Sequence, residues 1–288
     1  SKRCSFIAGL MLFILTACNE EKILEEIPLD FVSPSNAYRT AKGIEQGINA
    51  IYSDIRRDYY IGSGDDTEMF RGLGLDVAFH GEDPGGSGYL SNYVQVLIPT
   101  YAWTARWWDR CYINIANENN LIVGINSADP NIFTSEAEKN ALLAEVRFLR
   151  AYNYRVLSYL YGDVPMVTEV INYAKTDFTR TPQADILNLI VEDLEFASKN
   201  LPDPGKEAAP GRVNKAAAFH FLAEIYLWQK NYQKAVEAAS EVINNPRYAL
   251  MTQRFGNKLG NDVWGSGDVY FDLFAMGNQN LATNTEAI

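Results

Sequence analysis

Apolar residues in this chain recur mostly every three or four positions, the period of a helix that buries one face. Ala41, Ile44, Ile48, Ile51 and Ile55 form the first such stripe. The period is lost from Arg56 to Thr100, where glycines, acids and short aromatic pieces alternate, as in Gly62-Ser63-Gly64-Asp65-Asp66 and Gly81-Glu82-Asp83-Pro84-Gly85-Gly86. A long irregular stretch inside a compact domain is usually functional or disordered, and the interleaved Phe79, Tyr89 and Tyr93 argue against plain disorder. Periodicity resumes at Trp103, Trp107, Cys111, Ile115, Ile122 and Ile125, with Gly124 and Pro130 marking the exit. Ser135-Glu136-Ala137-Glu138 has the form of a capping box, whose hydroxyl and carboxylate satisfy exposed amides reciprocally. It opens a helix through Leu142, Val146, Leu149, Val156 and Leu160 that stops at Gly162. Thr181-Pro182 begins another, through Ile186, Ile190, Leu194 and Ala197 to Leu201-Pro202.

Strand signals are sparse, with only Val164 to Val170 and Val269 to Phe274 able to pair. In residues 216 to 246, Leu222, Ala223 and Tyr226 on one helix and Ala235, Ala239 and Val242 on the next have the spacing of a tetratricopeptide unit, closed by Pro246. One such unit cannot bury both faces, so others must stack on it, and the helices at 136–161 and 182–200 are the candidate neighbour. The predicted fold class is mainly α: a tetratricopeptide-like scaffold of helical pairs with long irregular loops and few short strands.

The N-terminus carries a different signal. Lys2 and Arg3 precede an apolar run from Phe6 to Leu15, and Leu15-Thr16-Ala17-Cys18 looks like a bacterial lipobox. Residues 1–17 read as a lipoprotein signal peptide, with Cys18 as the lipid attachment site. Residues 18–34, with Glu20, Glu21, Glu25 and Glu26, read as an acidic tether, and residues 35–288 as the domain. Removal of residues 1–17 leaves Cys18 and Cys111, and if Cys18 carries lipid Cys111 has no partner, which excludes a disulfide framework and suggests a small buried thiol. Lys and Arg total 25 against 36 Asp and Glu, a net charge of -11, which disfavours nucleic acid as a partner.

The string LLAEVRFLRAYNYRVLSYLYGDVPMVTE at 142 to 169 resembles the SusD/RagB family of outer-membrane glycan-binding lipoproteins. Phe31 to Ser35, a Trp-containing helix followed by Asn114 to Asn117, GRVNKAAAFHFLAEIYLWQKNYQKAVEAASEVI at 211 to 243, and Tyr248-Ala249-Leu250 follow in the family's order. The resemblance implies a non-catalytic surface lipoprotein of the outer membrane that captures oligosaccharide and docks on a TonB-dependent transporter of the SusC type, without cofactors. Family members are usually longer, so the chain reads as the N-terminal portion of such a protein.

Sugar recognition needs flat rings for pyranose faces and carboxylates, amides or guanidinium groups for hydroxyls. The irregular region and its helical exit supply both. The candidate glycan-binding residues are Trp103, as the stacking ring, with Tyr101, Asp66, Asp76, His80, Asp83, Tyr89 and Asn92. Asp65, Arg71 and Tyr93 lie among them. Trp107 and Trp108 fall further into the helix and read as packing. Glu145, Arg147 and Arg150 read as structural ion pairs along one helix, and Asp163 as a turn former. His80 and His220 are the only histidines and lie far apart, so no metal-ligand spacing exists. No phosphate loop, nucleophile elbow or glycosidase pair stands out. The rival readings are a periplasmic adaptor holding a peptide in its tetratricopeptide groove and a helical glycoside hydrolase.

Overall fold

The computed structural model describes residues 37–57, 102–257, 259, 267–275, 277–279 and 281–286. The segments expected to be signal peptide and tether, with Cys18, lie outside the described residues, as do residues 58–101. The helices are α1 (Ala41–Arg56), α2 (Ala102–Ser127), α3 (Glu136–Tyr161), α4 (Gln183–Asn200), α5 (Lys215–Trp228), α6 (Tyr232–Ile243) and α7 (Val269–Phe274).

Each starts or stops for a local reason. Thr40 caps α1, its hydroxyl accepting the Gly43 N–H at 3.0 Å, and Ile44, Ile48, Ile51 and Ile55 are the buried face that the stripe predicts. α2 runs past Gly124 to Ser127 rather than ending there. Gly124 is instead a contact point: a Cβ on it would lie 2.5 Å from the Tyr38 ring, so only glycine lets that ring sit against the helix. At the start of α3 the Ser135 hydroxyl accepts the Glu138 N–H at 3.1 Å as expected, but the box closes one residue earlier. The Glu138 carboxylate takes the Thr134 N–H and hydroxyl, not the Ser135 amide, and this holds its pKa below the usual carboxylate value. α3 ends at Gly162, in the left-handed half of backbone space at φ +71°.

α4 follows Pro182 without a side-chain cap of its own. Asp163 serves instead, its carboxylate accepting the Gln183 N–H at 2.9 Å across the intervening loop. The residue expected to shape one turn thus closes a segment of nineteen positions, 163–181, into a strap between α3 and α4. Among the described residues there is no strand. Val164 makes one antiparallel bridge with Thr181, and Val269 to Phe274 is helical, because the Asp268 carboxylate caps it through the Phe271 N–H at 2.8 Å.

From α2 onward each helix packs on the one before it through α6, and α1 lies against both α2 and α3. One apolar core runs through all six, from Ile44 to Ala238. Leu222, Tyr226, Ala235 and Val242 are buried in the α5–α6 hairpin, with Ala238 taking the buried place expected of Ala239. Cys111 is a buried thiol of this core. No described helix is long and apolar enough to cross a membrane.

Candidate functional site

Trp103 falls in the first turn of α2, and its side chain lies outside the described residues. What the structure describes is the support beneath it. One turn further in, Trp107 is wholly buried, and Cys111, Ile115, Leu121 and Ile125 continue the buried stripe. Trp108 packs edge-on against Tyr161 at 5.3 Å and obliquely on Tyr112 at 5.0 Å, centroid to centroid. Both inner tryptophans are therefore packing residues, and α2 is anchored from its second turn onward.

The strap 163–181 braces the same helix. Without sheet partners its backbone must find side chains, and α2 and α3 supply them. Tyr112 donates its hydroxyl to the Pro165 carbonyl at 2.7 Å, and Asn119 Nδ2 donates to the Val167 carbonyl at 2.9 Å. The Tyr154 hydroxyl donates to the Val167 carbonyl at 2.9 Å and accepts the Val167 N–H at 2.7 Å. Burial raises the pKa of Tyr112 and of Tyr154, so both remain donors.

Strap and α2 enclose a cavity of about 350 Å³ walled by Trp108, Tyr112, Ile115, Val167, Val170 and Phe178. Its walls are mostly apolar and the Tyr112 hydroxyl is already engaged. Apart from Asn120 and Glu169 it offers few of the donors and acceptors that sugar hydroxyls require.

The charged residues of α3 prove structural, but not as intrahelical pairs. Arg150 binds Asp193 of α4 through two parallel bonds, Nε to Oδ2 and Nη2 to Oδ1, both 2.8 Å, and gives Nη1 to Asn119 Oδ1 at 3.0 Å. Arg147 adds Nε to Asp193 Oδ1 at 2.6 Å and Nη2 to Glu192 at 3.0 Å, with its guanidinium 4.6 Å from the Phe196 ring centroid. Glu145 turns away from both, accepting the Tyr52 hydroxyl at 2.7 Å and pairing with Arg212 at 3.4 Å. Burial, then the adjacent Glu145, holds the Tyr52 pKa well above its ordinary value. Asp193 and Glu145, each held by basic or hydroxyl partners and buried, are clamps between helices rather than acids with access to a substrate.

Of the other candidate residues, Tyr101, Asp66, Asp76, His80, Asp83, Tyr89 and Asn92 lie outside the described residues. His220 is exposed on α5, and among the described residues no cluster of His, Cys, Asp or Glu could hold a metal. Sequence reading missed the roles of Asn119 and Tyr154 in holding the strap. Their bonds run 48 and 13 positions along the chain to backbone carbonyls, which leave no mark in a pattern of side chains.

Residues 88–227 match the family profile described as starch-binding, associating with the outer membrane. The SusD-like protein P2 of Formosa agariphila is 28% identical over 244 residues, covering 82% of this chain and 45% of that protein. The starch-binding protein SusD of Bacteroides thetaiotaomicron is 32% identical over 124 residues, 41% of this chain and 22% of that one. A solved laminarin-binding SusD-like protein superimposes with a TM-score of 0.64 at 24% identity, over 75% of this chain and 47% of its own. The chain spans about half the length, or less, of these relatives.

Proposed function

Because the chain belongs to the SusD-like family, we propose that it is a non-catalytic carbohydrate-binding lipoprotein of the bacterial outer membrane. In this reading it is anchored at the cell surface through Cys18 and passes captured oligosaccharide to a TonB-dependent transporter of the SusC type. The observation that carries the reading is the match over residues 88–227 to starch-binding proteins associated with the outer membrane. That stretch includes Trp103, the strap and the first of the paired helices.

The physical support is the anchoring of α2. A ring that stacks on a sugar face is most effective when its backbone does not have to be ordered on binding. Trp103 is carried one turn from the buried Trp107. The polar candidates from Asp66 to Asn92 would supply hydroxyl contacts around that ring.

Affinity electrophoresis through gels containing starch, laminarin and other polysaccharides tests this. The expected result is retardation by at least one polysaccharide, lost in Trp103→Ala while the thermal unfolding midpoint stays the same. Release of reducing sugar by the purified chain would contradict a purely binding role. The rival adaptor reading has one feature in its favour, a cleft of about 290 Å³ between α4, α5 and α6. Part of its polar lining is already paired, the Tyr226 hydroxyl donating to Glu195 at 2.6 Å and Lys234 pairing with Glu195 at 3.6 Å. A peptide would have to displace those contacts.

A further inference from the structure

Away from α2 the protein has a second, polar cavity of about 420 Å³, within the range of roughly 300–1,000 Å³ usual for small-ligand sites. It is built by the loop 205–214 with Ala217 of α5, the turn after α6 at Arg247 and Tyr248, and residues 279 and 281–285. No residue of α2 lines it.

Its walls are held before any ligand arrives. The last segment is tied to the turn by Ala249 N–H to the Thr285 carbonyl at 3.0 Å and the Thr285 hydroxyl to the Ala249 carbonyl at 2.9 Å. The loop is pinned by Lys215 to Asp203 at 2.8 Å and by the Val213 N–H to the Tyr52 hydroxyl at 3.1 Å. Gly205 stands at φ +84°, and a Cβ on it would lie 2.7 Å from Arg247 Nη1 and 2.9 Å from Cζ. A side chain at 205 would shift the guanidinium, and the positive φ there favours glycine in any case.

The groups presented are mixed in character. The Arg247 guanidinium has no hydrogen-bond or ion-pair partner among the described residues. Glu207 Oε1 accepts the Gly205 N–H at 2.9 Å and Asn214 Nδ2 at 2.6 Å. Burial works to raise the Glu207 pKa, but these hydrogen bonds and Arg247 outweigh it and keep the carboxylate ionised. The Tyr248 hydroxyl accepts from Asn214 Nδ2 at 3.3 Å, which leaves its own proton to donate. Arg212, the other cation on the wall, is committed to Asn49 at 2.8 Å and Glu145 at 3.4 Å. One open guanidinium and one carboxylate balance, so the cavity selects neither an anion nor a cation. A fork of donors beside an acceptor and a phenol matches adjacent hydroxyls on a neutral ring.

We infer that this cavity is a second carbohydrate subsite, taking one or two neutral sugar units through Arg247, Glu207 and Tyr248 and independent of Trp103. It rests on the reading of the chain as a glycan binder, and extends it from one contact to two.

The test is an NMR titration of the full chain carrying ¹³C-labelled tyrosine rings with maltohexaose and, separately, laminarihexaose. The Tyr248 signal is assigned by its loss in Tyr248→Phe. The expected result is a saturable shift of Tyr248 with at least one probe, kept in Trp103→Ala and weakened about tenfold in Arg247→Ala and in Glu207→Gln, as loss of one charge-assisted hydrogen bond predicts. An unmoved Tyr154 signal shows that the variants keep their fold. A Tyr248 signal that stays still while other tyrosines respond overturns the second subsite and leaves the first. A shift that vanishes in Trp103→Ala, or persists at full strength in both cavity variants, also overturns it. Silence of every tyrosine with both probes counts against the subsite and the glycan reading together.

Discussion

Glu118 on α2 has no exposed surface, and its carboxyl receives one hydrogen bond, from Asn153 Nδ2 to Oε1 at 2.7 Å. Its Oε2 and the Asn153 carbonyl oxygen are both buried without a partner among the described residues. Burial is the main reason its pKa stands well above 4.5; the Asn153 bond and the Arg150 charge pull it down without prevailing. A protonated Glu118 carries the hydroxyl that the Asn153 carbonyl lacks, and acid and amide can then pair in both directions. In the unfolded chain the same carboxyl ionises near 4.5. Between that value and the raised folded one, the unfolded chain holds fewer protons than the folded chain. This group's stabilisation is therefore complete below the unfolded pKa and is lost as pH rises through the folded pKa. Glu118→Gln keeps a donor at every pH, so it is expected to flatten that decline and to stabilise the protein on the alkaline side by about 1–3 kcal/mol. Urea unfolding over a series of pH values measures both; an unchanged decline in the variant would refute the protonated pair. None of this was legible in the sequence, where Glu118 is one acid among 36.

Among the elements, the strap depends on where α3 ends. Gly162 takes φ +71° and ψ −115°, and a Cβ there would meet nothing within 4 Å, so a side chain costs backbone strain alone. Gly162→Ala is expected to destabilise the protein by about 1–3 kcal/mol. Amide exchange should quicken at Gln183 and Val167, whose N–H groups are held by Asp163 and Tyr154. A loss below about 0.5 kcal/mol, the range of neutral surface changes, would mean that the chain leaves α3 by another route. The stop itself was readable, because glycine after an apolar stripe is a local signal. The helical state of Val269 to Phe274 was not: β-branched and aromatic residues there suit a strand by propensity, and the Asp268 cap decides otherwise.

At the scale of the molecule, one apolar core passes through α1 to α6 without a break, and the Asp193 and Glu145 clusters clamp helices within it. A core of this kind should unfold as a unit. Tryptophan fluorescence, to which the buried Trp107, with Trp108 in α2 and Trp228 in α5, contributes among five tryptophans, is expected to share one urea midpoint with far-ultraviolet circular dichroism. Two separated transitions would show that the α5–α6 hairpin melts apart from the rest. The same continuity gives Trp103 its rigid footing, so its replacement should alter glycan retention without altering that midpoint.

The sequence by itself determined the helices and their buried faces, from Ile44 through Ala197, because a repeat of three or four apolar places and a cap are properties of neighbours along the chain. It determined the tetratricopeptide-like pairing at 216–246 and the resemblance to SusD-like proteins for the same reason. It also marked Trp103 as the ring nearest the start of its helix. Only the tertiary structure decided which charges meet. Arg150 finds Asp193 43 positions away, and Glu145 finds Tyr52 at 93 and Arg212 on a loop of its own. Only the tertiary structure brought Gly205, Arg247 and residues such as Gln279 and Thr285 around one cavity. Contacts of that kind depend on how helices stack, and the energy of stacking is shared over the whole core rather than written in any local run of residues.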